Sequence, residues 1–160
     1  MRKESADMEV NGKKLTMRPT DDYDKLVVFF MKNGLEFSSE DEEDEVPEDI
    51  VKLYEVTDED GDLIGGVCLA YRQNEYIIDG IAVEPEYRKS NIGRAMLDRA
   101  LDDAASLGAE NVYLVAKAPG FFRKRGFVTI PADEAPEFYE CRTCPQFNKD
   151  CFPEIMKLKL

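Results

Sequence analysis

The stretch Tyr76-Ile-Ile-Asp-Gly-Ile-Ala-Val-Glu-Pro85, followed by Glu86-Tyr-Arg-Lys-Ser-Asn-Ile-Gly-Arg94 and Ala95-Met-Leu-Asp-Arg-Ala-Leu101, decides the fold. Tyr76 to Val83 is short, β-branched and aromatic, and stops at Glu84-Pro85, which predicts a buried strand. From Ile92 the period lengthens. Ile92, Met96, Ala100, Leu101, Ala104 and Leu107 fall on one face, with Asp98, Arg99, Asp102 and Asp103 opposite, the pattern of an amphipathic helix. Ser90 and Asn91 suit its N-cap, and Gly108 suits a left-handed C-terminal residue. Between strand and helix lies a basic, small-residue loop, Arg88 to Arg94. The first turn of a helix leaves N–H groups unpaired and carries partial positive charge, so such a loop can take a phosphate or pyrophosphate. Gly93 would let a ligand approach the backbone. An ordinary solvated connection explains the same residues.

Working outward, Asn111 to Ala116 is a continuous apolar run suited to a buried strand. Strand, helix and strand then make a right-handed parallel crossover. Upstream, Val51 to Val56 and Leu63 to Tyr71 flank Asp58-Glu-Asp-Gly-Asp62 and read as a hairpin. That acidic turn lacks the length and spacing of a calcium-binding EF-hand loop. Lys13 to Arg18 reads as the first full strand, and the Asn11-Gly12 turn signal pairs it with residues 7 to 10. Thr20 or Asp21 would cap a helix through Leu26, Val27, Phe30 and Met31 that closes at Asn33-Gly34. Phe121 to Arg125 is a short helix, and Glu154 to Leu160 alternates as a closing strand. The class is α/β, with a mixed sheet whose first half is antiparallel and whose parallel crossover joins the fourth and fifth strands.

Composition sets limits. A chain of 160 residues with 43% hydrophobic content suits one domain spanning 1–160, with a real core. No apolar run approaches the ~20 residues a membrane crossing needs, and Met1 to Asp7 lacks a signal peptide's apolar segment, so the expected location is cytoplasmic. A net charge of −13 repels nucleic acid and anionic membranes, and neither is expected as a partner. Much of the acidic excess lies in residues 36–48, which read as a solvated loop, or as a lid or attractor for a basic substrate. There is no histidine, which removes Ser-His-Asp and Cys-His catalysis and His-ligated zinc. Proton transfer must use carboxylate, Tyr, Cys, Lys, backbone or water.

Val83-Glu84-Pro85 followed by Arg88-Lys89-Ser90-Asn91-Ile92-Gly93 resembles the acetyl-CoA pyrophosphate loop of the GNAT acetyltransferase superfamily. Asn91 departs from the glycine of that pattern, although Asn tolerates positive φ better than most residues. Phe121-Phe122-Arg123-Lys124-Arg125-Gly126-Phe127 is similar to the family's short helix ending in Gly-Phe. The resemblance implies acetyl-CoA as cosubstrate and a small amine as acceptor, with a homodimer left open. In that fold the fourth and fifth strands splay and the cofactor enters the gap. Backbone groups of Ile81, Ala82 and Val83 would hold the pantetheine and thioester. Arg88, Lys89, Ser90, Asn91, Ile92, Gly93 and Arg94 would take the pyrophosphate, with Phe121 and Phe122 beside the pantetheine arm. Strand alternation puts Asp79 on one face with Ile77, Ile81 and Val83, so Asp79 is the first candidate for general base and Glu75 the second. Many relatives carry a Tyr where Phe122 stands, which leaves Tyr139, Tyr113, a cysteine or water to protonate the thiolate.

Three of the four cysteines, Cys141, Cys144 and Cys151, lie within residues 141–151. Three clustered thiols without a visible fourth ligand lead us to expect no metal. The segment Asp133-Glu134-x-Pro136, then Cys141-x-x-Cys144-Pro-x-Phe147 and a Met-containing last strand resembles the acetyltransferase domain of N-acetylglutamate synthases. That implies glutamate or another amino acid as acceptor, at the first step towards arginine. Arg18, Arg72, Lys117, Arg125 and Arg142 are available for its carboxylates. A protein N-terminal or polyamine acetyltransferase and a non-catalytic acyl-CoA-binding module are the alternatives.

Overall fold

The computed structural model describes residues 6–10, 12–33, 50–72, 74–88, 91–116, 119–131 and 154–160. Lys89, Ser90, Lys117, Tyr139, Arg142, the acidic run and Cys141, Cys144 and Cys151 lie outside them, so the expectations on those residues are not addressed by the structure.

Eight strands form one sheet in the order β1-β2-β3-β4-β5-β6-β8-β7. They are β1 (Ala6–Val10), β2 (Lys13–Pro19), β3 (Ile50–Thr57), β4 (Leu63–Arg72), β5 (Glu75–Val83), β6 (Asn111–Ala116), β7 (Val128–Thr129) and β8 (Glu154–Lys159). The strands β1 to β5 run as an antiparallel meander, and β5 meets β6 in parallel. With β1 counted, the parallel pair expected at the fourth and fifth strands is β5 and β6. The two-residue strand β7 has no counterpart in the sequence reading and pairs with β8 through Val128 and Thr129.

Helix α2 (Ile92–Ser106) covers one sheet face, burying Ile92, Met96, Leu97, Ala100, Leu101 and Ala104. Each large side chain there contributes about 1.5–3 kcal/mol of transfer free energy. Asn91 is its N-cap, but the side chain makes no capping bond and φ is −81°, so the backbone is not in the left-handed region. At the other end Gly108, at φ +94°, closes the helix as expected. Ala109 N–H reaches the Ala104 carbonyl at 3.0 Å and Gly108 N–H that of Ala105 at 3.0 Å, a Schellman pattern.

Helix α1 (Tyr23–Lys32) covers the opposite face. Its cap is Asp22, whose carboxylate accepts from Lys25 N–H, one residue beyond the caps expected. Leu26, Phe29 and Phe30 are buried while Met31 is exposed, so the inward face is rotated from the one periodicity suggested. Packing decides this. A Cβ on Gly66 of β4 would lie 2.7 Å from Leu26 Cδ2, so the helix seats on a strand position that only glycine leaves open.

Asp103, expected on the polar face of α2, is instead 8% exposed. Tyr54 of β3 donates a short hydrogen bond to its carboxylate. Arg99 Nε donates to the Tyr54 hydroxyl at 3.2 Å. The buried carboxylate thereby keeps its partners, as burial requires.

Candidate functional site

The strands β5 and β6 pair at only two positions, Tyr76 with Val112 and Ile77 with Tyr113. Along its other edge β5 is paired with β4 out to Val83. The edge of β5 from Ile78 to Val83 therefore faces a gap, among the described residues, that opens towards the N-terminus of α2. Unpaired strand edges are costly when buried and are normally covered, so an extended ligand with amide groups suits this one.

The split begins at a β-bulge. Leu69 pairs with Ile78 and Cys68 with Gly80, leaving Asp79 as the extra residue. The bulge changes the phase of the strand. Tyr76 and Ile78 pack in the same core cluster as Ile81 and Val83, whereas Ile77 belongs to the cluster of Ala70, Tyr113 and Ile155. The expectation that Asp79 shares one face with Ile77, Ile81 and Val83 is thus corrected, because strict alternation does not survive a bulge. Both oxygens of Asp79 accept from Arg72, at 3.1 Å from Nη1 and 2.9 Å from Nη2. Glu75 sits opposite Arg72 across the hairpin. Tyr113 stands opposite Ile77 on β6, with Lys157 of β8 at 5.9 Å from its ring centre. Burial raises the Tyr113 phenol above its ordinary value, and the Glu75 carboxylate adds to the effect. Asp79, Glu75, Tyr113 and Arg72 are thus gathered at the apex of the gap.

The other end of the gap is the loop. Arg88 does not point freely outward: its Nε donates to the Val83 carbonyl at 3.1 Å and its Nη2 to Asn33 Oδ1 at 3.1 Å. The guanidinium ties the loop to the end of α1. Gly93 is tightly approached, but by protein. A Cβ there would meet the Phe121 ring at 3.3 Å and Val83 Cγ2 at 3.7 Å. Phe121, on α3 (Pro119–Arg125), is 38% exposed, while Phe122 is 7% exposed and stacks edge-on against Phe127. The aromatic ring beside the loop is therefore Phe121. Spacing alone could not choose between two adjacent phenylalanines.

Of the cations named for an acceptor carboxylate, Arg18 faces Glu55 at 3.5 Å and Arg125 faces Asp98 at 2.6 Å. Among the described residues of that group, Arg72 alone stands at the apex. The Asp58, Asp60 and Asp62 carboxylates cluster in the β3–β4 turn, where Asp58 accepts from the N–H groups of Asp60 and Asp62. That is turn geometry.

A model of the acetyltransferase (GNAT) family matches residues 23–127. An uncharacterized N-acetyltransferase of Chlorobaculum tepidum is 26% identical over 99 residues, 60% of this chain and 64% of that protein. An amino-acid acetyltransferase of an Enterobacter species is 33% identical over 58 residues, 36% of this chain and 13% of that protein. The matches thus span less than two thirds of either relative. In structure the chain is similar to N-acetylglutamate synthase from Neisseria gonorrhoeae, complexed with coenzyme A and N-acetyl-glutamate. The TM-score is 0.68 at 22% identity, over 91% of this chain and 35% of that one, a likeness of fold.

Proposed function

The chain belongs to the acetyltransferase (GNAT) family, and from that premise we propose that it binds acetyl-CoA in the gap between β5 and β6 and acetylates the amine of a small molecule. The observation that carries this reading is the β5–β6 split, two paired positions followed by an open edge that leads to a helix N-terminus. Acetyl-CoA would supply a thioester carbonyl and a thiolate leaving group. The β5 backbone at Ile81, Ala82 and Val83 would hold its extended arm. Asn91, Ile92, Gly93 and Arg94, with Lys89 and Ser90, would face the pyrophosphate. Arg88 would shape this loop through Val83 and Asn33, and Phe121 would flank it, with Phe122 supporting Phe121 from the core.

The acceptor amine must lose a proton before it attacks, and a carboxylate at the apex would take it. Asp79 is the first choice and Glu75 the second. Tyr113 is the acid for the thiolate among the described residues, and Tyr139 a further candidate. An amino acid, glutamate first, is the acceptor we favour. The support is the likeness to an amino-acid acetyltransferase and to an N-acetylglutamate synthase, together with Arg72 at the apex. A cationic amine such as a peptide N-terminus or polyamine is the second reading, favoured by two carboxylates against one guanidinium there. Residues 1–160 as one domain, in the cytoplasm, complete the proposal. No helix among the described residues is long and apolar enough to cross a membrane.

The test is thiol release from acetyl-CoA against glutamate, other amino acids, polyamines and peptides. Acceptor-dependent release, strongest with an amino acid, is the expected result. Coenzyme A binding with no acceptor-dependent release from any of them would leave a non-catalytic module.

A further inference from the structure

Arg72 and Asp79 form a two-point ion pair at the place where an acceptor would meet the thioester. The guanidinium presents Nη1 and Nη2 to the two carboxylate oxygens, the fork geometry that an amino acid's carboxylate would also take. Their side chains are 28% and 19% exposed, so the pair is reachable and not sealed in the core. The β4–β5 ladder pairs on both sides of the bulge.

We infer that Asp79 occupies Arg72 as a stand-in for the acceptor's carboxylate, and that a carboxylate-bearing acceptor displaces it, freeing Asp79 to act as base. This deepens the acetyl-transfer reading and rests on it. The exchange swaps one carboxylate for another on the same fork, so the number of ion pairs is unchanged. The acceptor ammonium then gives one proton to Asp79. Its nitrogen attacks the thioester carbonyl, the C–N bond forms and the C–S bond breaks. The sulfur keeps the bonding electrons and takes the proton that the nitrogen loses as the amide forms, and Asp79 returns its proton to water. An amine without a carboxylate cannot make the exchange, so specificity and activation come from one event. Among the described residues, Asp79 meets Arg72 from β4, while Glu75 on its own strand and Tyr113 from β6, with Lys157 of β8 at 5.9 Å from the Tyr113 ring centre, are the other titratable and charged groups around the apex.

The experiment compares an amino acid that the wild-type chain acetylates with the same amino acid as its α-amide, in the wild type, Arg72→Gln, Arg72→Lys and Asp79→Asn. The wild type should prefer the acid over the amide in kcat/KM, on the order of tenfold or more. Arg72→Gln should erase that preference chiefly by raising KM for the acid, and Arg72→Lys should restore part of it. Asp79→Asn gives the distinguishing result. With the Asp79 carboxylate no longer on Arg72, KM for the acid should fall while kcat also falls, and kcat should recover as pH rises and more amine is neutral. Acetyl-CoA affinity, measured by calorimetry, should be unchanged in all three. A wild type that treats acid and amide alike, or an Asp79→Asn chain whose KM for the acid rises, overturns the exchange. So does an Arg72→Gln chain that slows both acceptors equally. Failure of the wild type to acetylate any amine removes the broader reading as well, and the two failures are thereby distinct.

Discussion

Tyr113 stands where β5 and β6 part, 8% exposed, with its phenol raised above 10.0 by burial first and by Glu75 second. Tyr54 is raised as well, by burial and then by its hydrogen bond to Asp103, with Arg99 opposing. Both hydroxyls therefore stay protonated through the neutral range, and Tyr113 can donate a proton there. The same shifts predict how stability changes in alkali. An unfolded tyrosine loses its proton near 10.0 while these two still hold theirs, so the unfolded state is favoured as pH climbs past that value. Their contribution is complete below about pH 9 and declines above about pH 10. Denaturation midpoints measured across that range should fall, and less steeply in Tyr113→Phe. A profile as steep in Tyr113→Phe as in the wild type would mean that this phenol is not held protonated by the fold.

At the scale of elements, α2 is fastened to β3 by polar as well as apolar contact. The Tyr54 hydroxyl links Asp103 and Arg99, and the Arg99 guanidinium carbon lies 5.3 Å from the Tyr54 ring centre. Tyr54→Phe keeps the ring and removes the donor from a buried carboxylate, which should cost about 1–3 kcal/mol. Denaturant titration is the check, with a lower midpoint at an unchanged slope as the expected outcome. A midpoint equal to that of the wild type would mean that water or Arg99 replaces the lost bond at no cost. The β5 bulge acts at this scale too. It leaves Asp79 as the extra residue just past the last paired position of β5 and β6, so the bulge, the end of the pairing and the Arg72–Asp79 pair lie together.

For the molecule as a whole, a net charge of −13 dominates. Like charges repel in the compact state, and salt screens them with a Debye length of ~10 Å at 0.1 M. The melting temperature should therefore rise between about 10 mM and 0.2 M sodium chloride. A falling melting temperature would mean that the described ion pairs, such as Lys25 with Glu55 at 2.6 Å and Lys32 with Glu84 at 3.0 Å, outweigh the repulsion.

Local pattern was enough for the crossover, because the change of period at Ile92, the Glu84-Pro85 stop and Gly108 each act within a few residues. What it could not contain was the pairing of distant residues. A bulge exists only relative to the neighbouring strand, so the phase of β5 was decided by β4. Asp103 reads as a polar-face residue until Tyr54, 49 positions away, supplies its donor. The inward face of α1 was chosen by Gly66, and the ring beside Gly93 by how α3 packs. Periodicity reports which residues can be buried together along one element. Which neighbour buries them, and which charge answers which, is settled only when elements far apart in the chain meet.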